Sequence, residues 1–223
     1  AMPGTAKRTL ALCKEAGVAM TAAGATFPIK VLMPYNPGTT YWGESCQILE
    51  QQLEGLLGTD YIDIIVEAGP STNFLSEVRK TGKYALMLCN WGPDYADPET
   101  WTDPFSADSS YSFIFKSTDP ETQALYAEYT ELVAAAKAIT DDMDARYTAF
   151  AKAEAFLLDH AFAVPFSISN RSYQMCNLNV FEGQYASFGL ANQRYKDQHL
   201  YDTSMGLEEY QAAYAEWQSK KAG

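Results

Sequence analysis

The first 90 residues alternate between two hydrophobic periods, and that alternation restricts the fold more than any other feature of the chain. Residues Pro28 to Met33 form a short apolar run that reads as a strand closed by Pro34. Trp42, Cys46, Leu49, Leu53 and Leu56 then fall at steps of four and three, one face of an amphipathic helix that Gly58 terminates. Tyr61 to Val66 is rich in β-branched residues and reads as a buried strand. A short helix over Thr72 to Arg79 and a third strand over Tyr84 to Cys89 complete the series. Strands and helices in this order make parallel pairs with right-handed crossovers. The expected class is therefore α/β, with a mixed, mostly parallel sheet flanked by helices. In open α/β sheets ligands sit beyond the carboxyl ends of the strands. Those ends are Pro34-Tyr35-Asn36, Glu67-Ala68-Gly69 and Asn90 to Tyr95.

The flanking segments are simpler. Ala6 to Gly17 reads as a helix with Gly17 as its C-cap glycine. From Asn90 to about Ser112 the chain is rich in proline and small polar residues. It also carries Trp91, Tyr95, Trp101, Phe105 and Tyr111, which argue for an ordered loop. Helices are expected over Glu121 to Ile139 and Asp141 to His160, the second with an Asp142–Arg146 pair at i,i+4. Ala163 to Ile168 reads as a strand with a hairpin partner over Arg171 to Cys176. Leu207 to Lys221 reads as a helix with Tyr210, Tyr214 and Trp217 on one side.

Charge and motifs exclude several functions. A net charge of −12 and no basic cluster longer than Lys220-Lys221 leave no footprint for a nucleic-acid partner. No apolar run is long enough to span a bilayer, and no charged segment leads into an apolar export signal. Cys13, Cys46, Cys89 and Cys176 include no C-x-x-C pair, and all three disulfide pairings stay open. His160 closes a helix and His199 lies in a polar tail. No nucleophile elbow, zinc-protease helix, phosphate loop or dinucleotide fingerprint is present, so neither an enzyme nor a cofactor is expected. The acidic run Asp94 to Asp103 lacks the spacing of a calcium loop, and Asp97-Pro98 and Asp103-Pro104 read as turns. A hydrolase built on two such carboxylates is the alternative from another class.

Trp91-Gly92-Pro93-Asp94-Tyr95 stands where a ligand is expected and pairs aromatic walls with a carboxylate. That combination suits an ammonium group, through an ion pair and cation–π attraction. The alternative is that Trp91 and Tyr95 are core residues and Asp94 a turn former.

The segment Asn73 to Pro98 resembles the signature of the oligopeptide/dipeptide solute-binding proteins of ABC importers, in which a helix, a strand and W-x-x-D-Y-x-D/E-P follow in order. Ala6 to Gly17 is similar to the family's lead-in, and Tyr35-Asn36 follows the first strand. Asp142, Arg146, Tyr147 and Ala153-Glu154 resemble its D…R…Y…AE helix, and Ala163-Val164-Pro165 its a-x-x-P strand. The resemblance runs over roughly residues 6–200 and implies a periplasmic-binding-protein-like lobe.

Such proteins have two lobes that close on an extended peptide and hand it to a membrane permease. The resemblance implies that residues 1–176 are the second lobe and that 177–223 would return to a first lobe outside this chain. It implies an extracytoplasmic protein, periplasmic or lipid-anchored, that meets the membrane only through an anchor outside the chain. Its partners would be a peptide and the permease subunits. Asp94 falls on the position that holds the peptide's α-ammonium, Trp91 lies beside the peptide backbone, and Arg79 matches a basic residue facing the cleft. Tyr95, Tyr35, Asn36 and Tyr41 complete the expected ligand-binding set. Leu88 stands where such binders can carry an arginine for the peptide carboxylate, and Tyr41 stands near a histidine of similar role. Family members also carry nickel chelates, haem or sugars.

Overall fold

A computed structural model describes residues 5–107, 109–114, 116–168, 177–182 and 195–221. The chain divides into two compact units, Ala1–Asn90 with Pro104–Tyr126, and Trp91–Asp103 with Ala127–Gly223.

The first unit is built on two parallel strands, β1 (Ile29–Tyr35) and β2 (Ile62–Ala68), joined by α2 (Trp42–Leu57) and preceded by α1 (Thr5–Ala22). The crossover helix forms as its apolar stripe requires. Trp42 and Cys46 are buried, Leu49 and Leu53 pack towards the strands, and Gly58 ends the helix at φ 97°. Met33, Cys46, Ile64 and Leu88 form the core, with Val31, Ile62 and Val66 against it. Burying side chains of this size contributes about 1.5–3 kcal/mol each.

Three local expectations give way to packing. Helix α1 runs through Gly17 to Ala22, because the ring of Tyr61 lies against Gly17, 3.1 Å from where a Cβ would stand. The glycine with positive φ is Gly24, beyond the helix. Strand β1 continues through Pro34. Ile29 N–H donates to Tyr61 and Tyr35 C=O accepts from Gly69, so odd-numbered residues of β1 bond β2. Pro34 lies on the side away from β2, where its missing N–H costs the ladder nothing.

The third strand is the largest correction. Residues 83–98 adopt no regular structure. Ala85 N–H and Leu86 N–H both donate to the single carbonyl of Leu32, at 2.9 and 3.1 Å. That is a contact rather than a ladder, and the sheet among the described residues has two strands. Between them and this segment, Leu75–Arg79 forms a π-helical turn, η1.

In the second unit a short helix α3 (Glu99–Thr102) stands within the proline-rich loop, and Asp103–Phe105 forms a 3₁₀ turn that leads back into the first. Helix α4 (Pro120–Lys137) begins in the first unit and enters the second at Ala127, and α5 (Met143–Asp159) follows. Tyr129 of α4 stacks on Phe156 of α5 with ring centroids 6.5 Å apart. The expected Asp142–Arg146 pair does not form. Asp142 caps α5 by accepting from Ala145 N–H at 2.9 Å, as an N-cap aspartate should, and Arg146 turns elsewhere. Residues 163–168 are not a strand. Val164, Phe166 and Ile168 stand exposed in irregular chain, and their expected partner over 171–176, with Cys176, lies outside the described residues. Cys13, Cys46 and Cys89 are free thiols. Helix α6 (Leu207–Lys221) stacks Tyr210, Tyr214 and Trp217 around Phe181. No described helix is long and apolar enough to cross a membrane.

Candidate functional site

Within the second unit, the loop from Trp91 to Asp103 is held by one buried hydroxyl and one buried cation. Thr100 is fully buried. Its carbonyl accepts from the Trp91 indole N–H at 2.7 Å, and its Oγ1 accepts from Asp94 N–H at 3.0 Å. These two bonds fix the tryptophan and the backbone of Asp94 across the same turn. Nothing in the sequence pattern singled out Thr100, because a threonine in an acidic loop looks like any turn residue.

Arg146, 8% exposed, is the cation. Its Nε and Nη2 donate to the two carboxylate oxygens of Asp97 at 3.0 and 2.9 Å, and Nη2 also reaches Glu99 at 2.9 Å. Nη1 donates to the carbonyls of Ala136, Lys137 and Ile139 at 3.3, 3.1 and 3.0 Å. Those carbonyls lie at the end of α4, where backbone acceptors lack helical partners and a positive charge is favoured. The guanidinium also lies over the ring of Phe150, 4.9 Å from its centroid. The hydrogen bond from Arg146 leads the causes that lower the Asp97 pKa from its ordinary value. Asp97 also accepts from Glu99 N–H at 2.9 Å, the turn expected of an aspartate before proline.

The remaining carboxylates differ in their commitments. Glu99 pairs with Lys137 at 3.1 Å, and Asp103 lies 4.0 Å from the same ammonium. Tyr95 donates to Asp103 at 3.4 Å, and burial, then the charge of Asp103, push its hydroxyl up to about 12. Burial also raises Asp103 above its ordinary value. Asp94 stands apart: its residue is exposed and its carboxylate makes no hydrogen bond or ion pair among the described residues. Three carboxylates, Asp97, Glu99 and Asp103, thus share two cations, and the unspent charge of the loop is Asp94. The described residues contain no group of three or more metal-binding side chains.

The other expected residues belong to the first unit. Tyr35 packs on the core, its ring 3.0 Å from where a Cβ on Gly43 would stand. Asn36 uses its Oδ1 to accept from Gly38 N–H at 2.9 Å, closing the turn after β1. Tyr41 is the N-cap residue of α2, with its side chain 63% exposed. Arg79 ends the π-helical turn among aromatic rings.

Over 98% of its length the chain is 29% identical to oligopeptide-binding protein AliA of Streptococcus pneumoniae serotype 4. Over 93% it is 26% identical both to oligopeptide-binding protein SarA of Streptococcus gordonii and to oligopeptide-binding protein AmiA of S. pneumoniae serotype 4. The chain is a relative of oligopeptide-binding proteins. It spans about a third of the length of each of these relatives, from 34 to 35%. No family model matches it. The likeness read from Asn73 to Pro98 and from the ordered motifs around it therefore extends along almost the whole chain.

Proposed function

We propose that this chain is one lobe of an extracytoplasmic solute-binding protein that captures extended peptides and delivers them to the permease of an ABC importer. The similarity to oligopeptide-binding proteins along 93–98% of the chain carries this reading. In it, the lobe has a binding-protein-like α/β fold, and the rest of the clamp lies in sequence beyond the third that this chain matches. Catalysis has no part in it.

The geometry of the Trp91–Asp103 loop supports a role for Asp94 as the seat of the peptide's α-ammonium. Its carboxylate is exposed and uncommitted, whereas Asp97 and Glu99 are bound to Arg146. Thr100 accepts from the Asp94 backbone N–H and from the Trp91 indole N–H, so the anion's backbone and the aromatic wall keep a fixed relation. Affinity for varied sequences would come from backbone hydrogen bonds and ordered water rather than from fitted side-chain pockets.

Native mass spectrometry of the protein encoded by the complete gene, purified without denaturation, tests the reading. Retained masses should resolve into short peptides with free N-termini. Retention of a metal chelate, haem or sugar instead would replace the cargo, and turnover of peptides or glycosides would remove the reading altogether.

A further inference from the structure

Acidic residues outnumber basic ones by 28 to 16 in this chain, yet one turn of the first unit is cationic. Residues 78–93 carry Arg79, Lys80 and Lys83 and no carboxylate. The turn that follows η1 is closely bonded. Lys80 N–H donates to the Leu75 carbonyl at 2.9 Å, and Gly82 and Lys83 N–H donate to Arg79 and Val78 at 3.2 Å each. The Thr81 hydroxyl donates to the carbonyls of Glu77 and Val78. Gly82 has φ 67°, a left-handed conformation that favours glycine. The stem of Lys116 crosses it, so that a Cβ on Gly82 would stand 3.0 Å from the Cβ and Cγ of that lysine. Lys116 Nζ donates to the Lys80 carbonyl at 3.0 Å and to Ser112 Oγ at 3.4 Å. A third ammonium is thereby fixed beside the turn.

Lys80 and Lys83 are exposed. Elsewhere Lys137, Arg146 and Lys220 each take a carboxylate, whereas Lys80, Lys83 and Lys116 take none among the described residues. Arg79 is not part of this group. Its guanidinium lies over the buried rings of Trp42, Phe74 and Phe113, at 5.3, 5.7 and 6.0 Å from their centroids. A protein partner of fixed shape is gripped through aromatic or arginine anchors in a packed centre, and a single small anion is best held by an arginine fork. The exposed lysines of this turn offer neither. Ammonium groups on long stems suit a surface whose negative charges are many and mobile, as in an anionic bilayer. A net charge of −12 keeps the rest of the chain away from such a surface, so attraction confined to one turn also selects the face that approaches.

We propose that the Lys80–Lys83 turn, with Lys116 across it, is a docking point for anionic phospholipid headgroups that orients the protein on the outer face of the membrane. This rests on the extracytoplasmic reading for its location. It adds a contact within the chain to the anchor that the resemblance places outside it.

Co-flotation of the 223-residue chain with lipid vesicles tests it. At about 20 mM salt, phosphatidylglycerol vesicles should carry about tenfold more protein than phosphatidylcholine vesicles, and the excess should fall severalfold near 150 mM. One lysine near an anionic surface is worth about fivefold, so Lys80→Gln combined with Lys83→Gln should weaken binding about 25-fold. Lys116→Met keeps the stem over Gly82 and should cost about fivefold. Lys14→Gln combined with Lys152→Gln removes the same charge from other exposed positions and should cost less than about twofold. Equal losses in the two double variants, or no preference for phosphatidylglycerol, overturn the docking point. Retention on immobilised polyglutamate without vesicle binding would assign the turn to an acidic protein and overturn it too. So would displacement from vesicles by inorganic phosphate at matched ionic strength, the mark of a small-anion site. Vesicle binding by a protein that retains no peptide would defeat the peptide reading alone; peptide retention without vesicle binding would defeat the docking point alone.

Discussion

Two of the described arginines lie over aromatic rings, and they have opposite fates. Arg146 spends its three nitrogens on two carboxylates and three carbonyls. Arg79 has three rings around it and no hydrogen bond among the described residues. A cation whose donors are all satisfied by its own chain has nothing left for a ligand, and its task is to hold the fold. One left unsatisfied costs stability. The same contrast separates Asp97, bound to Arg146, from Asp94, whose carboxylate makes no hydrogen bond or ion pair among the described residues.

The widest gap should appear in thermal unfolding. Arg146→Met strands Asp97, Glu99 and the carbonyls at the end of α4, so it should give the largest fall in Tm of any single substitution discussed here. Arg79→Met replaces an unpaired cation by an apolar chain in an aromatic setting and should stay within about 1 kcal/mol of the parent. Circular dichroism melts of the two variants check this; equal losses would erase the distinction between them.

Gly69→Ala tests the packing of Phe74, the ring beneath Arg79. The added methyl meets the Phe74 ring, and overpacking of this kind costs about 1–3 kcal/mol. It should also move the Arg79 Nε–Hε signal without touching the arginine. Thr100→Val should cost about 1 kcal/mol by denaturant unfolding, since the valine cannot accept from Asp94 N–H.

A smaller effect should come from acid. The Asp97 pKa is depressed in the folded chain, so its contribution is complete above the ordinary carboxyl value near 4. It is lost as the pH falls through the lower folded value. Asp97→Asn should therefore flatten the acid limb of a stability–pH profile below about pH 4 and leave its neutral plateau lower.

Much of the first unit was legible because its signals are local. The stripe from Trp42 to Leu56 and the β-branched run of β2 each need only their own residues to be recognised. The segment Tyr84 to Cys89 has the composition of a strand, yet its hydrogen bonds converge on one carbonyl of Leu32, a tertiary outcome that no propensity records. Gly17 and Pro34 were misread as boundaries for a related reason: the Tyr61 ring occupies one, and the ladder leaves the other's nitrogen unused. At the loop, Asp94 was singled out from its place after the expected third strand, which does not form. Its neighbours' roles were not, because Arg146 is 49 residues from Asp97 in sequence and the i,i+4 rule offered Asp142 as a nearer partner.

The central claim is that Asp94 is held uncommitted for the ammonium end of a peptide. Calorimetry on the complete gene product, with trialanine and N-acetyl-trialanine against the parent and Asp94→Ala, tests it directly. Loss of a charge-assisted bond should weaken the free-amine peptide by about tenfold or more, and the acetylated peptide should bind both proteins alike. Equal losses for the two peptides, or none for either, would contradict it.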